Sequence, residues 1–180
     1  MYAGDRMNDK LKKEIVDWIK SIAFALVIAL AIRAYIFEPM IVPTGSMIPT
    51  INIGDRILVN KYIYRFEPIK RGDIVVFKYP DDPRQPYVKR VIGLGGDVVE
   101  IRDGKLYIND SPVDEPYINE PMIGSYGPYK VPEGHYFMMG DNRNNSKDSR
   151  FWENKYLPRK LVIGKAVYRI WPPGRIGRLK

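Results

Sequence analysis

The stretch "IVPTGSMIPTI", residues 41–51, sets Ser46 directly after a glycine and between two prolines. A serine in such company is commonly a turn former, its hydroxyl bonded to nearby backbone. It can also be a nucleophile, but only with a base close enough to take its proton. His135, the single histidine, sits in "EGHYFMMGD" at what reads as a strand start, where a packing or surface role accounts for it. A lysine held neutral by burial is the other option. "YVKRVIGLGGD", residues 87–97, carries adjacent Lys89 and Arg90 in an apolar strand. Period-2 alternation sends Lys89 to the face of Tyr87 and Val91, and Arg90 to that of Val88 and Ile92. Arginine keeps its proton in proteins, whereas a desolvated lysine can lose one near neutral pH, so a base drawn from this pair is Lys89. A two-sided edge strand with both charges solvated is the competing reading.

A third segment, "MGDNRNNSKDSR" at 139–150, is dense in Asp, Asn, Ser and Arg. Counted from Asp141 as a calcium loop it has Arg143 at position 3, no glycine at position 6 and Trp152 in place of Glu at position 12, so that reading fails. "NNS" at 144–146 fits a glycosylation sequon. The segment otherwise reads as polar and turn-rich, with side chains able to bond backbone and orient other residues. "GLGGD" lacks both the dinucleotide and the P-loop glycine patterns. Absence of cysteine removes thiol nucleophiles, disulfides and Cys-based zinc sites, and one histidine cannot build H-E-x-x-H. No metal or cofactor is expected. The net charge of +8 draws the chain toward anionic surfaces, nucleic acid or phospholipid. Because the basic residues are scattered and not gathered with stacking aromatics on one element, nucleic acid is not expected as a partner.

These residues need elements to hold them. The 180 residues, 45% of them hydrophobic, suffice for one packed domain or a domain plus an anchor. "SIAFALVIALAIRAYIF", residues 21–37, reads as a membrane helix, extended backward by Ile15, Val16, Trp18 and Ile19 and with Arg33 snorkelling from one end. A cleaved signal is the poorer reading, since "YIFEPMIVP" offers no small-residue site; a soluble amphipathic or buried helix is the bland one. Lys/Arg before the helix predicts a cytoplasmic N-terminus and an extracytoplasmic remainder. Ser46 follows Phe37 by nine residues, a reach of at most roughly 30 Å. Beyond the helix, "RILVNKYIY", "DIVVFKYP", "YVKRVIGL", "DVVEIR", "KLYIND", "HYFMMG" and "LVIGKAVYRIW" predict an all-β domain. "EIRDGKLYI" predicts a hairpin with Asp103 and Gly104 at the positive-φ positions of a type I′ turn.

Together, "PTGSMIPT", "GDRILVNKY" with "KRGDIVVF", "YVKRVIGLGGD" and "GDNRNNSKDSR" stand in an order that resembles the bacterial type I signal peptidases, membrane-bound Ser/Lys proteases that remove signal peptides from exported preproteins. The resemblance runs from the apolar helix to "VIGKAVYRIWP" at 162–172. It implies a mainly antiparallel β catalytic domain of signal-peptidase-like fold behind a transmembrane helix: anchor over 1–38, catalytic core over 39–102 and 135–180, small loop-rich insert over 103–134. It implies Ser46 as nucleophile, Lys89 as general base, Thr44 hydroxyl with the Ser46 N–H as oxyanion hole, Ser146 as the residue orienting the lysine, and Asp148 with Arg150 as support. A structural ion pair explains the last two equally. Preproteins with small residues one and three positions before the cut would be the substrates. Val42, Met47, Ile51, Tyr87 and Val88 would line shallow apolar pockets, unless they are ordinary core. The family commonly has proline where this chain has Gly95. A self-cleaving Ser/Lys protease of the SOS-repressor type and a non-catalytic, membrane-anchored β-domain are the rival readings.

Overall fold

The computed structural model describes residues 3–180, and side chains over 10–31 and 36–180. The chain divides between Phe37 and Glu38 into two compact units. The first is a single helix, α1 (Ala3–Tyr35). From Asp5 to Phe37 there is neither glycine nor proline to break it, and Pro39 follows soon after its end. Its apolar side chains are exposed, Trp18, Ile22, Phe24 and Val27 among them. The expected span over 21–37 is not seen in the helix: among the described residues no helix is long and apolar enough to cross a membrane. Only twelve residues separate Lys20 from Arg33, a rise of about 18 Å where a hydrocarbon core needs roughly 30 Å. The Arg33 side chain, expected to snorkel, lies outside the described residues.

The second unit is mainly antiparallel β. Its strands are β1 (Phe37–Ile41), β2 (Arg56–Asn60), β3 (Ile74–Lys78), β4 (Pro86–Gly93), β5 (Val98–Arg102), β6 (Lys105–Ile108), β7 (Ser111–Pro112), β8 (Tyr126–Lys130), β9 (His135–Met139), β10 (Leu157–Pro158), β11 (Val162–Trp171) and β12 (Gly177–Arg178). The larger sheet has the order β1-β2-β11-β3-β4-β9-β10, with β12 on β11; the smaller has β7-β6-β5-β8. Each of the seven β-branched, aromatic runs contains a strand. In the first, pairing stops at Asn60, whose side-chain oxygen accepts the Tyr62 and Ile63 N–H groups and turns the chain into a short 3₁₀ helix. The β5–β6 hairpin turns through Asp103 and Gly104 at φ 48° and 78°. The smaller sheet begins at Val98, ahead of the expected insert boundary at 103.

The core of the larger sheet lies on two faces. Met47, Ile51, Ile57, Val59, Ile74 and Val76 fill one; Val75, Phe77, Val91, Met138 and Trp152 fill the other. A third cluster, with Val99, Ile101, Leu106 and Phe137, joins the smaller sheet to β9. Gly95 lies where the turn after β4 meets Glu133. A Cβ there would come within 3.0 Å of the Glu133 Cα, so this backbone uses close approach where a proline would collide.

Candidate active site

Ser46 lies in the connection between β1 and β2, in turns closed by Ile48 N–H to Gly45 carbonyl (3.2 Å) and Ile51 N–H to Met47 carbonyl (2.8 Å). Met47 and Ile51 are fully buried, which pins those turns to the core, while Ser46 borders a cleft. The 139–150 segment clamps the other side. Asn142 donates its backbone N–H to the Ser46 carbonyl (3.0 Å) and its Nδ2 to the Gly45 carbonyl (3.0 Å). Gly140 is wedged between the Ser46 carbonyl and the Ser146 hydroxyl, with no room for a Cβ.

Lys89 reaches Ser46 from β4. That strand is flanked by β3, with Val75 opposite Lys89, and by β9, with Met139 opposite Arg90. It is therefore no edge, and the solvated reading of the two charges is overturned: Lys89 is 4% exposed and Arg90 2%. Lys89 Nζ is hydrogen-bonded to Ser46 Oγ at 2.5 Å. Burial pulls the lysine down from 10.5 to about 8, against the Asp148 and Asp141 carboxylates, which pull it up. The Lys89 amine thus sits where neutral and charged forms interchange near physiological pH.

Arg90 grips Asp141 through Nε (2.8 Å) and Nη2 (2.7 Å) and donates Nη1 to the Gly72 carbonyl. Thr50, at the end of the Ser46 turns, donates its hydroxyl to the same Asp141 carboxylate (2.5 Å). Asp148 and Arg150 form a bidentate buried pair, both bonds 2.9 Å, and Asp148 accepts the Gly140 N–H at 3.1 Å. That pair thus holds the glycine against which Ser46 rests. Ser146 is buried against Gly140, but its hydroxyl has no hydrogen-bond partner, so the expected bond to the lysine is not made here.

A cleft of about 240 Å³ opens over the pair, bounded by 42–46, 86–89, Asn145 and Lys147. Thr44 is exposed in it, and neither its hydroxyl nor the Ser46 N–H has an acceptor among the described residues. A second, more apolar cleft shares Val42, Pro43, Pro86 and Val88 and adds Met40, Ile41, Ile57 and Val76. Of the five pocket residues expected, Val42 and Val88 line both clefts and Tyr87 the first; Met47 and Ile51 line neither and belong to the core. His135 engages the Glu133 carbonyl through Nδ1 (2.9 Å). Asn144 of the sequon bonds Glu120 and the Pro121 carbonyl.

Sequence reasoning missed Arg90, Asp141 and Asn142 as holders of the site. Asp141 and Asn142 stand in the polar segment already singled out. Arg90 could be placed only by knowing that β4 has a neighbour on each side.

The family described as "Signal peptidase, peptidase S26" matches residues 15–171. Signal peptidase I of Leptolyngbya laminosa is 42% identical over 177 residues, covering 94% of this chain and 86% of that one. Signal peptidase I of Bacillus licheniformis is 46% identical over 171 residues, covering 89% and 91%. Signal peptidase I S of Bacillus subtilis (strain 168) is 46% identical over 179 residues, covering 92% and 94%. A match that takes in β1 through β11, and with them the Ser46 turns, the Lys89 strand and the 139–150 clamp, leaves one conclusion: the chain belongs to the signal peptidase family, peptidase S26.

Proposed function

We propose that Ser46 and Lys89 carry the peptide-bond hydrolysis by which this serine endopeptidase removes signal peptides from preproteins. The 2.5 Å contact between a buried lysine amine and a serine hydroxyl carries the reading. Neutral Lys89 takes the Ser46 proton as Oγ attacks the scissile carbonyl carbon, and the C–O bond forms. The developing oxyanion is received by the Ser46 N–H and the Thr44 hydroxyl, donors with no other acceptor among the described residues. The lysine ammonium then gives its proton to the departing amine. The scissile C–N bond breaks and leaves the acyl group on Ser46 Oγ. Water then gives a proton to the again neutral Lys89 amine as its oxygen bonds the acyl carbon, the C–Oγ bond breaks, and Ser46 Oγ takes that proton back from Lys89. Val42, Tyr87 and Val88 supply shallow apolar walls on which small side chains before the cut would rest. Ser146 would bond the lysine or the incoming water through its unused hydroxyl.

The apolar surface of α1 supports a membrane-embedded anchor with the β unit on the extracytoplasmic side, where preproteins emerge. The test is incubation with a preprotein bearing an A-x-A site. Ser46→Ala and Lys89→Ala should each abolish cleavage with unchanged circular dichroism; cleavage at the unsubstituted rate by either sinks the dyad.

A further inference from the structure

Two side chains of the insert loop between β7 and β8, Glu115 and Tyr117, reach the catalytic segment, and no step above uses them. The Glu115 carboxylate accepts two hydrogen bonds from the Arg143 guanidinium, from Nη1 and Nη2, both 2.6 Å. The pair is buried, with side-chain exposures of 0% and 5%. The same guanidinium donates Nε to the Gly140 carbonyl (3.0 Å), and the Arg143 carbonyl accepts Arg150 Nη2 (2.6 Å). Tyr117 donates its hydroxyl to Glu115 Oε1 (2.8 Å) and lays its ring 3.9 Å from the Arg90 guanidinium carbon. The short stretch 115–117 therefore holds both Arg90, which grips Asp141, and Arg143, which grips Gly140. Gly140 and Asp141 begin the turn whose Asn142 clamps the carbonyls of Gly45 and Ser46.

We propose that Glu115, oriented by Tyr117, is a positioning residue for catalysis: through Arg143 it fixes the Gly140–Asn142 turn and with it the approach of Ser46 to Lys89. The role rests on Ser46 being the nucleophile. A planar carboxylate meeting a guanidinium fork sets direction as well as distance, and glutamine in its place cannot accept both bonds with full charge. Because a Cβ at Gly140 would collide with both the Ser46 carbonyl and the Ser146 hydroxyl, Gly140 lies close against the Ser46 backbone, and a shift of Arg143, which holds the Gly140 carbonyl, passes to it. A misplacement of about 1 Å at a reacting atom costs on the order of 10²-fold in rate.

The chain has no cysteine, so Ser46→Cys provides one thiol at the site. Beside Lys89 its thiolate should be favoured, and its alkylation by iodoacetamide at pH 7 faster than in Ser46→Cys/Lys89→Ala. Adding Glu115→Gln should slow alkylation roughly tenfold toward that floor. In the enzyme with Ser46 intact, Glu115→Gln should lower kcat for a preprotein by roughly 10- to 100-fold with KM within about twofold. A merely structural ion pair would lower the melting temperature and leave both rates of the folded protein unchanged, which overturns the proposal. If Glu115→Gln does not fold, Glu115→Leu/Arg143→Met replaces the buried pair by apolar side chains; a loss of kcat there upholds the role, and full kcat overturns it. If the unsubstituted enzyme cuts no preprotein, the assignment of Ser46 falls, while the alkylation rates still decide whether Glu115 governs the geometry between positions 46 and 89.

Discussion

A lysine amine can act as a base near neutral pH only if its surroundings penalise the charged form, and at Lys89 burial outweighs the two carboxylates that favour it. In the unfolded chain Lys89 titrates near 10.5; in the folded protein it titrates near 8. Between these values the unfolded state binds the extra proton, so stability rises with pH from about 8 to 10.5 and is lost again as pH falls through that window. With Lys89 as the proposed base, activity follows the same group. kcat/KM for a preprotein should rise about tenfold per pH unit below 8 and level off above it; a rate flat from pH 6 to 9 would refute Lys89 as the base. Lys89→Met removes the buried ammonium. It should be inactive yet more stable than the unsubstituted enzyme at pH 6.5, by up to about 3 kcal/mol, with the gain shrinking toward pH 10. Urea titrations at the two pH values measure the difference.

At the scale of elements, the turn after β9 decides where Ser46 stands. Gly140→Ala should cut kcat by more than tenfold, because the added Cβ must displace both the Ser46 carbonyl and the Ser146 hydroxyl. Such overpacking costs typically 1–3 kcal/mol of stability. Cleavage assays with a thermal melt separate the two, and unaltered kcat would show that the wedge is not felt at Ser46. The legible elements were those whose own pattern declares them. β3, β4 and β11 are β-branched runs bounded by Gly, Pro or Asp, and the β5–β6 turn is written in Asp103–Gly104. β8 was not legible. Its Gly127–Pro128 reads as a breaker, and only pairing with β5 makes a strand of it. β10 and β12 are two-residue strands that owe their form to β9 and β11. The same division holds in the site. Ser46 and Lys89 were legible as candidates, a serine that needs a base and a lysine in an apolar strand, but it was the order of the four motifs, with the resemblance it carries, that paired them. Arg90, Asp141 and Glu115 were not legible, because a buried ion pair leaves no local trace and depends on which segments the sheets bring together. Met47 and Ile51 could be read as pocket or core for the same reason, since adjacency in sequence does not say which face of a turn is packed, and they lie in the core.

Across the whole molecule, the candidate site and the exposed apolar helix belong to different units. Every side chain invoked for hydrolysis lies in the β unit, Glu38–Lys180, while the exposed apolar surface of Trp18 to Leu30 belongs to α1. The twelve-residue stretch between Lys20 and Arg33 is short for a full span, so embedding would rely on flanking apolar residues and on attraction of a +8 chain to anionic headgroups. If α1 serves only to hold the enzyme at the membrane, its removal should leave the chemical step intact and abolish the concentrating effect of a shared surface. Residues 38–180 alone should therefore cut a soluble peptide spanning an A-x-A site with kcat within about threefold of the full chain, since removal of α1 touches only terms common to ground and transition states. On a preprotein embedded in anionic vesicles the same fragment should lose on the order of 10²-fold in kcat/KM, the advantage that tethering confers. Vesicle flotation should recover the full chain and not the fragment, and raising salt should weaken the binding only in part, because apolar burial is unscreened. A fragment that floats with vesicles, or that cuts embedded preprotein as fast as the full chain, would place the membrane contact on the β unit and leave α1 without that role.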